Sequence, residues 1–140
     1  MPNLANMSIE ETQAAIRTEA TAQQNDRFRR AMCGKLDHED DKGLAIPSGR
    51  IVYTQGIDAL GHDFLMEAMR LVSEVSEFSE DNDPYGSHEF ASIDVPHEGQ
   101  TVKIFWKIDA YDTEFKYGSP DPADPKVTRR VLTLLLPSEY

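Results

Sequence analysis

The residue types most able to do chemistry cluster in one stretch, NDPYGSHEF at residues 82–90. Its Asn82, Asp83, His88 and Glu89 are types that ligate metals or act as a general base. Their spacing matches no zincin, EF-hand or deaminase motif, and Asn, Asp, Pro and Gly also build turns. We therefore interpret the stretch mainly as a turn that enters a strand. Within it, His88 beside Asp83 or Glu89 is the leading candidate for catalysis.

A second group of charged side chains lies in FWKIDAYD, residues 105–112. Lys107 and Asp109 point to the same side of a strand, and Arg129 or Arg130 could join them in a pocket at the strand ends. Opposite charges facing across strands are also ordinary in sheets, so we prefer a salt-bridged, solvated face. The enzyme alternative is a small metal-assisted or acid/base hydrolase centred on His88. Its candidate catalytic residues are Asp83, His88, Glu89, Lys107 and Asp109.

Nucleophilic and cofactor chemistry have little support in the sequence. Cys33 is the only cysteine, which excludes an intramolecular disulfide and the Cys-rich zinc frameworks. The serines lie in no nucleophile elbow, and no Gly-rich phosphate loop is present. We expect no cofactor and no bound metal.

The strongest charge signal is a run of carboxylates between Leu71 and Val102 that contains no Lys or Arg. Such a run is often a solvated face that aids solubility. The functional alternative is a surface that imitates phosphates and docks into a basic groove. The candidate partner-binding residues are Glu74, Glu77, Glu80, Asp81, Asp83, Glu89, Asp94 and Glu98.

The overall charge supports a basic partner. The formal net charge is −11, so the field of the chain repels nucleic-acid phosphates and anionic lipid headgroups. Direct binding to nucleic acid or to membranes is therefore disfavoured. The same field attracts basic protein surfaces, including the nucleic-acid grooves of other proteins.

The expected location is the cytoplasm. The opening stretch, MPNLANMSIEE, has no basic region followed by an apolar one, and no apolar run approaches the roughly 20 residues that span a bilayer. A single cysteine fits a reducing compartment.

Two helices are predicted from the sequence up to Phe78. The first runs over residues 9–32, with Ser8 and Glu11 in the form of a capping box. Arg27, Arg29 and Arg30 near its end are interpreted as cations that complement the helix dipole. The second helix is predicted to follow a cap at Asp58, with apolar residues spaced by three and four. These are Phe64, Leu65, Ala68, Met69, Val72, Val75 and Phe78.

Four stretches have the composition and alternation of strands. They cover residues 50–55, 88–95, 101–109 and 128–136. The second and third are separated by a loop short enough for a hairpin. The last, with VLTLLL, has apolar residues on both faces, which predicts a central position in the sheet.

These elements predict an α+β fold with two layers. Short connections between consecutive strands favour a mainly antiparallel four-stranded sheet, with two helices packed on one face. At 140 residues, the chain has the common size of a single domain, residues 1–140. We expect a flexible terminus at 1–7 and long surface loops at 34–49 and 111–127, the latter stiffened by prolines.

Four stretches taken together are distinctive: NDPYGSHEF at 82–90, FWKIDAYD at 105–112, GSPDPADP at 118–125 and TRRVLTLLLPSEY at 128–140. With NDRFR at 25–29 and YTQGI at 53–57, they resemble an uncharacterised family of small bacterial proteins, domain of unknown function 3768. The resemblance implies a bacterial protein often found on plasmids and other mobile elements, and it brings no established activity or cofactor.

The leading functional hypothesis is a noncatalytic binding protein. It uses its acidic surface to inhibit or modulate a basic, nucleic-acid-handling bacterial protein, in the manner of an anti-CRISPR or anti-restriction protein. Two alternatives stay open: the hydrolase centred on His88, and an oligomeric accessory protein of a mobile element.

Overall fold

The computed structural model describes residues 7–34 and 46–140. Residues 1–6 of the predicted flexible terminus and residues 35–45 of the predicted loop at 34–49 lie outside the described residues. Helices and strands follow in the order helix, strand, two helices, two strands and a last strand. No helix within the described ranges has the length and apolar character needed to cross a bilayer.

Helix α1 spans Ile9–Met32, as the sequence predicts. It begins where the Ser8 side chain accepts a hydrogen bond from the Glu11 N–H at 3.1 Å, which satisfies one of the free donors of the first turn. It ends at Cys33, before Gly34 takes a positive φ of 85°. The helix buries only its second half, including Phe28, against the rest of the protein.

The predicted second helix is two helices, so the expected cap at Asp58 is wrong. Helix α2 is a single turn, Gln55–Asp58, and helix α3 spans His62–Glu74. Gly61, with φ of 98°, precedes α3; this left-handed region is costly for residues with a side chain, so the glycine permits the break. The predicted apolar stripe is confirmed in part: Phe64, Leu65, Ala68 and Val72 are buried in α3. Met69 is only partly buried, and Val75 and Phe78 lie beyond the end of the helix at Glu74.

The sheet has four strands in the order β1-β4-β3-β2. Strand β1 is Gly49–Tyr53, β2 is Phe90–His97, β3 is Gln100–Tyr111 and β4 is Arg129–Leu135. The last strand is central, as predicted.

The sheet is mixed, because β1 pairs with β4 in parallel while the other two pairs are antiparallel. Strands joined by short connections usually pair antiparallel, but this preference does not apply to β1 and β4. They are separated in sequence by α2, α3 and the β2–β3 hairpin.

One face of the sheet forms the core. Ile104, Trp106 and Ile108 alternate along β3 and are buried with Leu132 and Leu134 of the paired strand. Both long helices pack against the sheet, α3 mainly over β2 and α1 near β1 and β4. The architecture is therefore α+β.

Arg29 is part of this core, which corrects the interpretation of the arginine cluster as helix-end electrostatics. Its side chain is fully buried. It donates from Nε to the Val72 carbonyl at 3.0 Å and from Nη2 to the Val75 carbonyl. Its guanidinium carbon also lies 4.9 Å from the Trp106 ring centroid. Arg29 thus satisfies carbonyls at the end of α3 and joins the two helices.

Candidate functional site

A cleft lined by charged and aromatic side chains lies where β2 begins and β3 ends. It has a volume of about 550 Å³, within the range of small-molecule pockets. We call it the acidic cleft because its lining carries four carboxylates, Asp81, Asp83, Glu89 and Asp109, against one ammonium group, Lys107. Its aromatic lining residues are Tyr85, Phe90 and Tyr140.

The loop before β2 forms one wall of the acidic cleft. Its Asn, Asp and Gly residues stabilise the turn by bonding to the backbone or by taking a left-handed conformation. The Asn82 side chain accepts a hydrogen bond from the Ser79 N–H at 2.9 Å. The Asp83 carboxylate accepts one from the His88 N–H at 3.1 Å. Gly86 takes a φ of 73°, which favours glycine. These contacts support the prediction that NDPYGSHEF builds a turn.

Lys107 and Asp109 form another wall, on the sheet face opposite the helices. They stand two residues apart on β3, and Lys107 Nζ lies 2.9 Å from Asp109 Oδ2. The hydrogen bond to Asp109 raises the pKa of Lys107, with burial opposing it. Lys107 is therefore a fixed cation here, which agrees with the predicted salt-bridged face.

Two exposed tyrosines border the acidic cleft, and sequence reasoning missed both. Tyr85 and Tyr140 are each 78% exposed. The Tyr140 ring packs edge-on against Phe90 and Phe105, with centroids 5.7 and 5.9 Å apart. Tyr85 could have been noticed as an aromatic inside a turn, where a buried position is not expected. No local signal places Tyr140 at the cleft, because the chain reaches it only after β4.

His88 does not line the acidic cleft. Its Nδ1 lies 3.0 Å from Asp26 Oδ2 on α1, and its ring stacks on Phe78 with centroids 4.0 Å apart. Its Nε2 is 3.8 Å from Asp83 Oδ2, beyond hydrogen-bond distance. The cleft therefore gathers Asp83, Glu89, Lys107 and Asp109 and excludes the imidazole.

Sequence reasoning also missed Asp26, which joins His88 to Arg29. Asp26 Oδ1 lies 2.9 Å from Arg29 Nη1. The available signal was the spacing of three between Asp26 and Arg29, which places them on one helix face. The contacts from Arg29 through Asp26 to His88 connect α1 to the loop before β2. None of these three residues lines the acidic cleft.

The eight predicted partner-binding carboxylates are spread over several places. Asp81, Asp83 and Glu89 meet at the acidic cleft. Glu74 pairs with Arg70 at 3.0 Å, and Asp94 lies 3.9 Å from Lys103, so cations that flank the run in sequence reach it in space. The remaining three are exposed: Glu77 and Glu80 follow α3, and Glu98 lies in the β2–β3 turn.

The described residues offer little support for metal binding or for nucleophilic catalysis by Cys33. Within 7–34 and 46–140, no group of three or more His, Cys, Asp or Glu side chains is placed to hold a metal ion. Cys33 is buried, and burial raises the pKa of its thiol to about 12, with Arg29 opposing the rise. At neutral pH this thiol is protonated and therefore a poor nucleophile.

Comparison with known families decides the affiliation of the chain. The family model described as Protein of unknown function (DUF3768) matches residues 53–139. The chain belongs to this family. No curated protein and no solved structure is significantly similar to it.

The DUF3768 match contains nearly all of the acidic cleft. It includes the loop before β2, the Lys107–Asp109 pair and the last strand, and it stops one residue before Tyr140. It begins at Tyr53, so α1 and the NDRFR stretch lie outside the matched range. The region matched by DUF3768 thus supplies nearly all of the cleft lining. Asp26 and Arg29, which contact His88 and the end of α3, come from α1 outside that region.

Proposed function

We propose that this chain is a noncatalytic binding protein whose acidic cleft docks a basic surface of a nucleic-acid-handling bacterial protein. The concrete form is an inhibitor of a restriction enzyme or CRISPR effector, occupying the groove that binds nucleic acid. The observation that carries the proposal is the meeting of Asp81 and Glu89, both exposed, with the exposed Tyr85 and Tyr140 around one cleft.

The carboxylates of the acidic cleft differ in how they are used. Asp109 is paired with Lys107, and Asp83 holds a backbone N–H of its own loop. Neither Asp81 nor Glu89 has a Lys, Arg or His nitrogen within 4.0 Å among the described residues. These two side chains are free to receive cations from another molecule.

The aromatic border favours an interface over a purely solubilising surface. Tyrosine is enriched at protein interfaces because it contributes a large rigid contact area and a hydroxyl at low entropic cost. Solubility requires exposed charge and does not require two tyrosines beside it. Tyr85 and Tyr140 therefore support docking.

The proposed docking is expected to be fast and to weaken as the salt concentration rises. With a net charge of −11, the chain approaches a basic groove under long-range attraction, which raises the association rate and weakens with salt. At about 0.15 M salt the screening length is roughly 8 Å, so only charges close to the contact contribute strongly. Asp81 and Glu89 should therefore matter more than carboxylates elsewhere on the surface.

A general acid/base mechanism is less well supported. The acidic cleft offers a lysine held as a cation by Asp109, while the imidazole of His88 lies against Asp26 and Phe78. A hydrolase would require a proton acceptor directed at the substrate. The best-suited side chain for that role points elsewhere.

Reversing the charge of Asp81 and Glu89 tests the proposal. The tagged protein, immobilised and exposed to a bacterial lysate, is expected to retain a basic nucleic-acid-binding protein that high salt releases. The Asp81→Lys/Glu89→Lys variant should retain less than about one tenth as much, since close charge pairs at interfaces contribute about 1.5 kcal/mol or more. Retained proteins are quantified by mass spectrometry.

The matched control is Glu19→Lys/Glu114→Lys, which makes the same change in net charge at two exposed positions outside the acidic cleft. It should retain the partner nearly as well as the original chain. Circular dichroism establishes that each variant is folded. Equal retention by the cleft variant and the control would refute the role of the cleft.

A further inference from the structure

A second, smaller groove adjoins the acidic cleft and has a volume of about 270 Å³. Arg17, Thr18 and Thr21 of α1 line one side, and Asp121–Ala123 line the other. Ser87 lies between them, and the groove shares Tyr85 and Glu89 with the acidic cleft. We call it the α1 groove. A partner that covers the acidic cleft therefore reaches this groove as well.

The α1 groove contains a buried hydroxyl without a partner. Ser87 is 8% exposed, and its Oγ makes no hydrogen bond. The residue is held in place through its backbone, because Asn25 Nδ2 donates to the Ser87 carbonyl at 2.9 Å. A buried polar atom left unpaired costs free energy in the isolated protein, and a ligand that bonds to it recovers that cost.

A second unpartnered acceptor lies behind the same groove. Gln24 is 6% exposed, and its Nε2 donates to the carbonyl of the lining residue Ala123 at 2.6 Å. That contact fixes the orientation of the amide, so Oε1 is the oxygen that has no partner. The groove is also bordered by one unpartnered donor, Nη1 of the buried Arg130, whose Nη2 donates to the carbonyl of the lining residue Pro122 at 2.7 Å. With the Glu89 and Asp121 carboxylates and the Ser87 hydroxyl in the lining, acceptors still outnumber donors around the groove. The complementary ligand is a cationic donor.

The chain itself places a guanidinium at the α1 groove. Arg17 Nη2 lies 2.6 Å from Asp121 Oδ2, and the Arg17 side chain is 62% exposed. An exposed ion pair of this kind contributes little to stability. Its Asp121 carboxylate therefore exchanges one guanidinium for another at small cost.

We propose that the α1 groove receives one arginine side chain of the protein partner, an inference that rests on the proposed function. Arginine presents five N–H donors in a plane, which suits Glu89, Asp121 and the Ser87 hydroxyl at once. Its flat group also stacks on an aromatic ring, and Tyr85 stands exposed at the border. Lysine, a point charge with three donors, matches this set less well.

The size of the α1 groove agrees with a single side chain. Pockets for cofactors and drug-sized ligands have volumes of about 300–1,000 Å³, and the α1 groove has about 270 Å³. The larger acidic cleft beside it then accommodates the neighbouring part of the partner.

The direct test is an NMR titration of the full chain with the peptide acetyl-Gly-Ser-Arg-Ser-Gly-amide. Amide signals of Thr18, Ser87, Glu89 and Asp121 are expected to shift in a saturable manner. The same peptide with citrulline, which keeps the shape and loses the charge, should bind at least about tenfold more weakly. The lysine peptide should fall between the two.

Two variants give effects of opposite sign. Ser87→Ala should weaken the arginine peptide roughly tenfold, the cost of one hydrogen bond to a charged group. It leaves the fold intact because the removed hydroxyl has no partner. Ser92→Ala, at an exposed position of β2, is the matched control. Arg17→Ala should tighten binding a few-fold by freeing Asp121, while Lys103→Ala, with the same loss of charge, should not.

Equal binding of the arginine and citrulline peptides, or an unchanged affinity in Ser87→Ala, would overturn the inference. So would shifts that avoid the α1 groove. The proposed function fails separately: partner capture that is insensitive to Asp81 and Glu89 would refute it even if the arginine peptide binds. Conversely, intact cleft-dependent capture with no arginine binding would refute the groove alone.

Discussion

Replacing Arg29 with alanine is expected to lower the free energy of unfolding by about 3–5 kcal/mol, because it removes a fully buried side chain together with its hydrogen bonds to two carbonyls and one carboxylate. The change removes the donor that Arg29 supplies to the Asp26 carboxylate and to the carbonyls of Val72 and Val75. The Val75 carbonyl lies at the end of α3, while Asp26 keeps its contact with His88. It also removes the cation above the Trp106 ring. Since small domains are stable by only about 5–15 kcal/mol, this loss is a large fraction of the total.

Urea denaturation followed by far-ultraviolet circular dichroism measures the Arg29 effect. The matched control is Arg17→Ala, an arginine on the same helix that is also paired with an aspartate and whose side chain is 62% exposed. We expect the control to change stability by less than about 1 kcal/mol. If the two variants lost equal stability, the burial of Arg29 would not have the energetic role assigned to it.

Replacing Trp106 with alanine is the second large effect, with an expected loss of about 3–5 kcal/mol. Trp106 is fully buried in the centre of the sheet, with Phe78 edge-on to it at 6.1 Å and Arg29 at 4.9 Å from its centroid. Truncation leaves a cavity between the helices and the sheet, and the rigid strands around it limit collapse into the space.

Trp106→Phe separates aromatic packing from the indole N–H. The Nε1 atom of Trp106 has no hydrogen-bond partner, so its removal carries no penalty of a broken bond. Phenylalanine keeps a ring beneath Arg29, and we expect a loss of only about 1–2 kcal/mol from reduced volume. Chemical denaturation is again the measurement. A phenylalanine variant as unstable as the alanine variant would show that the indole N–H or its exact volume dominates.

Elements governed by local sequence could be predicted. The bounds of α1 follow from Ser8 and Glu11 at one end and Gly34 at the other. The central position of β4 follows from its apolar residues on both faces. In each case the signal is local: residues close in sequence cap the helix, and a continuous apolar run marks the strand that is covered on both faces.

Features governed by distant contacts could not be predicted. Strand β1 runs parallel to β4 because the chain between them crosses the fold, which no short-range pattern reports. Arg29 near a helix end has the composition of a dipole-complementing residue, yet it lies inside because α3 ends with carbonyls that need donors. Burial of a long polar side chain depends on what the tertiary fold places beside it.

The candidate site could be predicted only in part, for similar reasons. Three carboxylates of the predicted run do meet at the acidic cleft. Two others are near cations in the fold, because Glu74 pairs with Arg70 and Asp94 lies near Lys103. His88 and Glu89 are neighbours in the chain, yet Glu89 lines the acidic cleft and His88 packs behind it. His88 takes a left-handed φ of 56°, so the backbone turns between these two side chains in a way that the alternation of an extended strand does not report. Tyr140 joins the cleft only through the tertiary fold.

Competition with DNA is the measurement that tests the central claim most directly. The captured partner is bound to a fluorescent DNA duplex, and the chain is added while anisotropy is followed at about 0.15 M salt. If the acidic cleft occupies the nucleic-acid groove, the chain displaces the duplex, and Asp81→Lys/Glu89→Lys displaces it at least about tenfold less well than Glu19→Lys/Glu114→Lys. A ternary complex in which chain and duplex bind the partner together, with no loss of anisotropy, would contradict the claim.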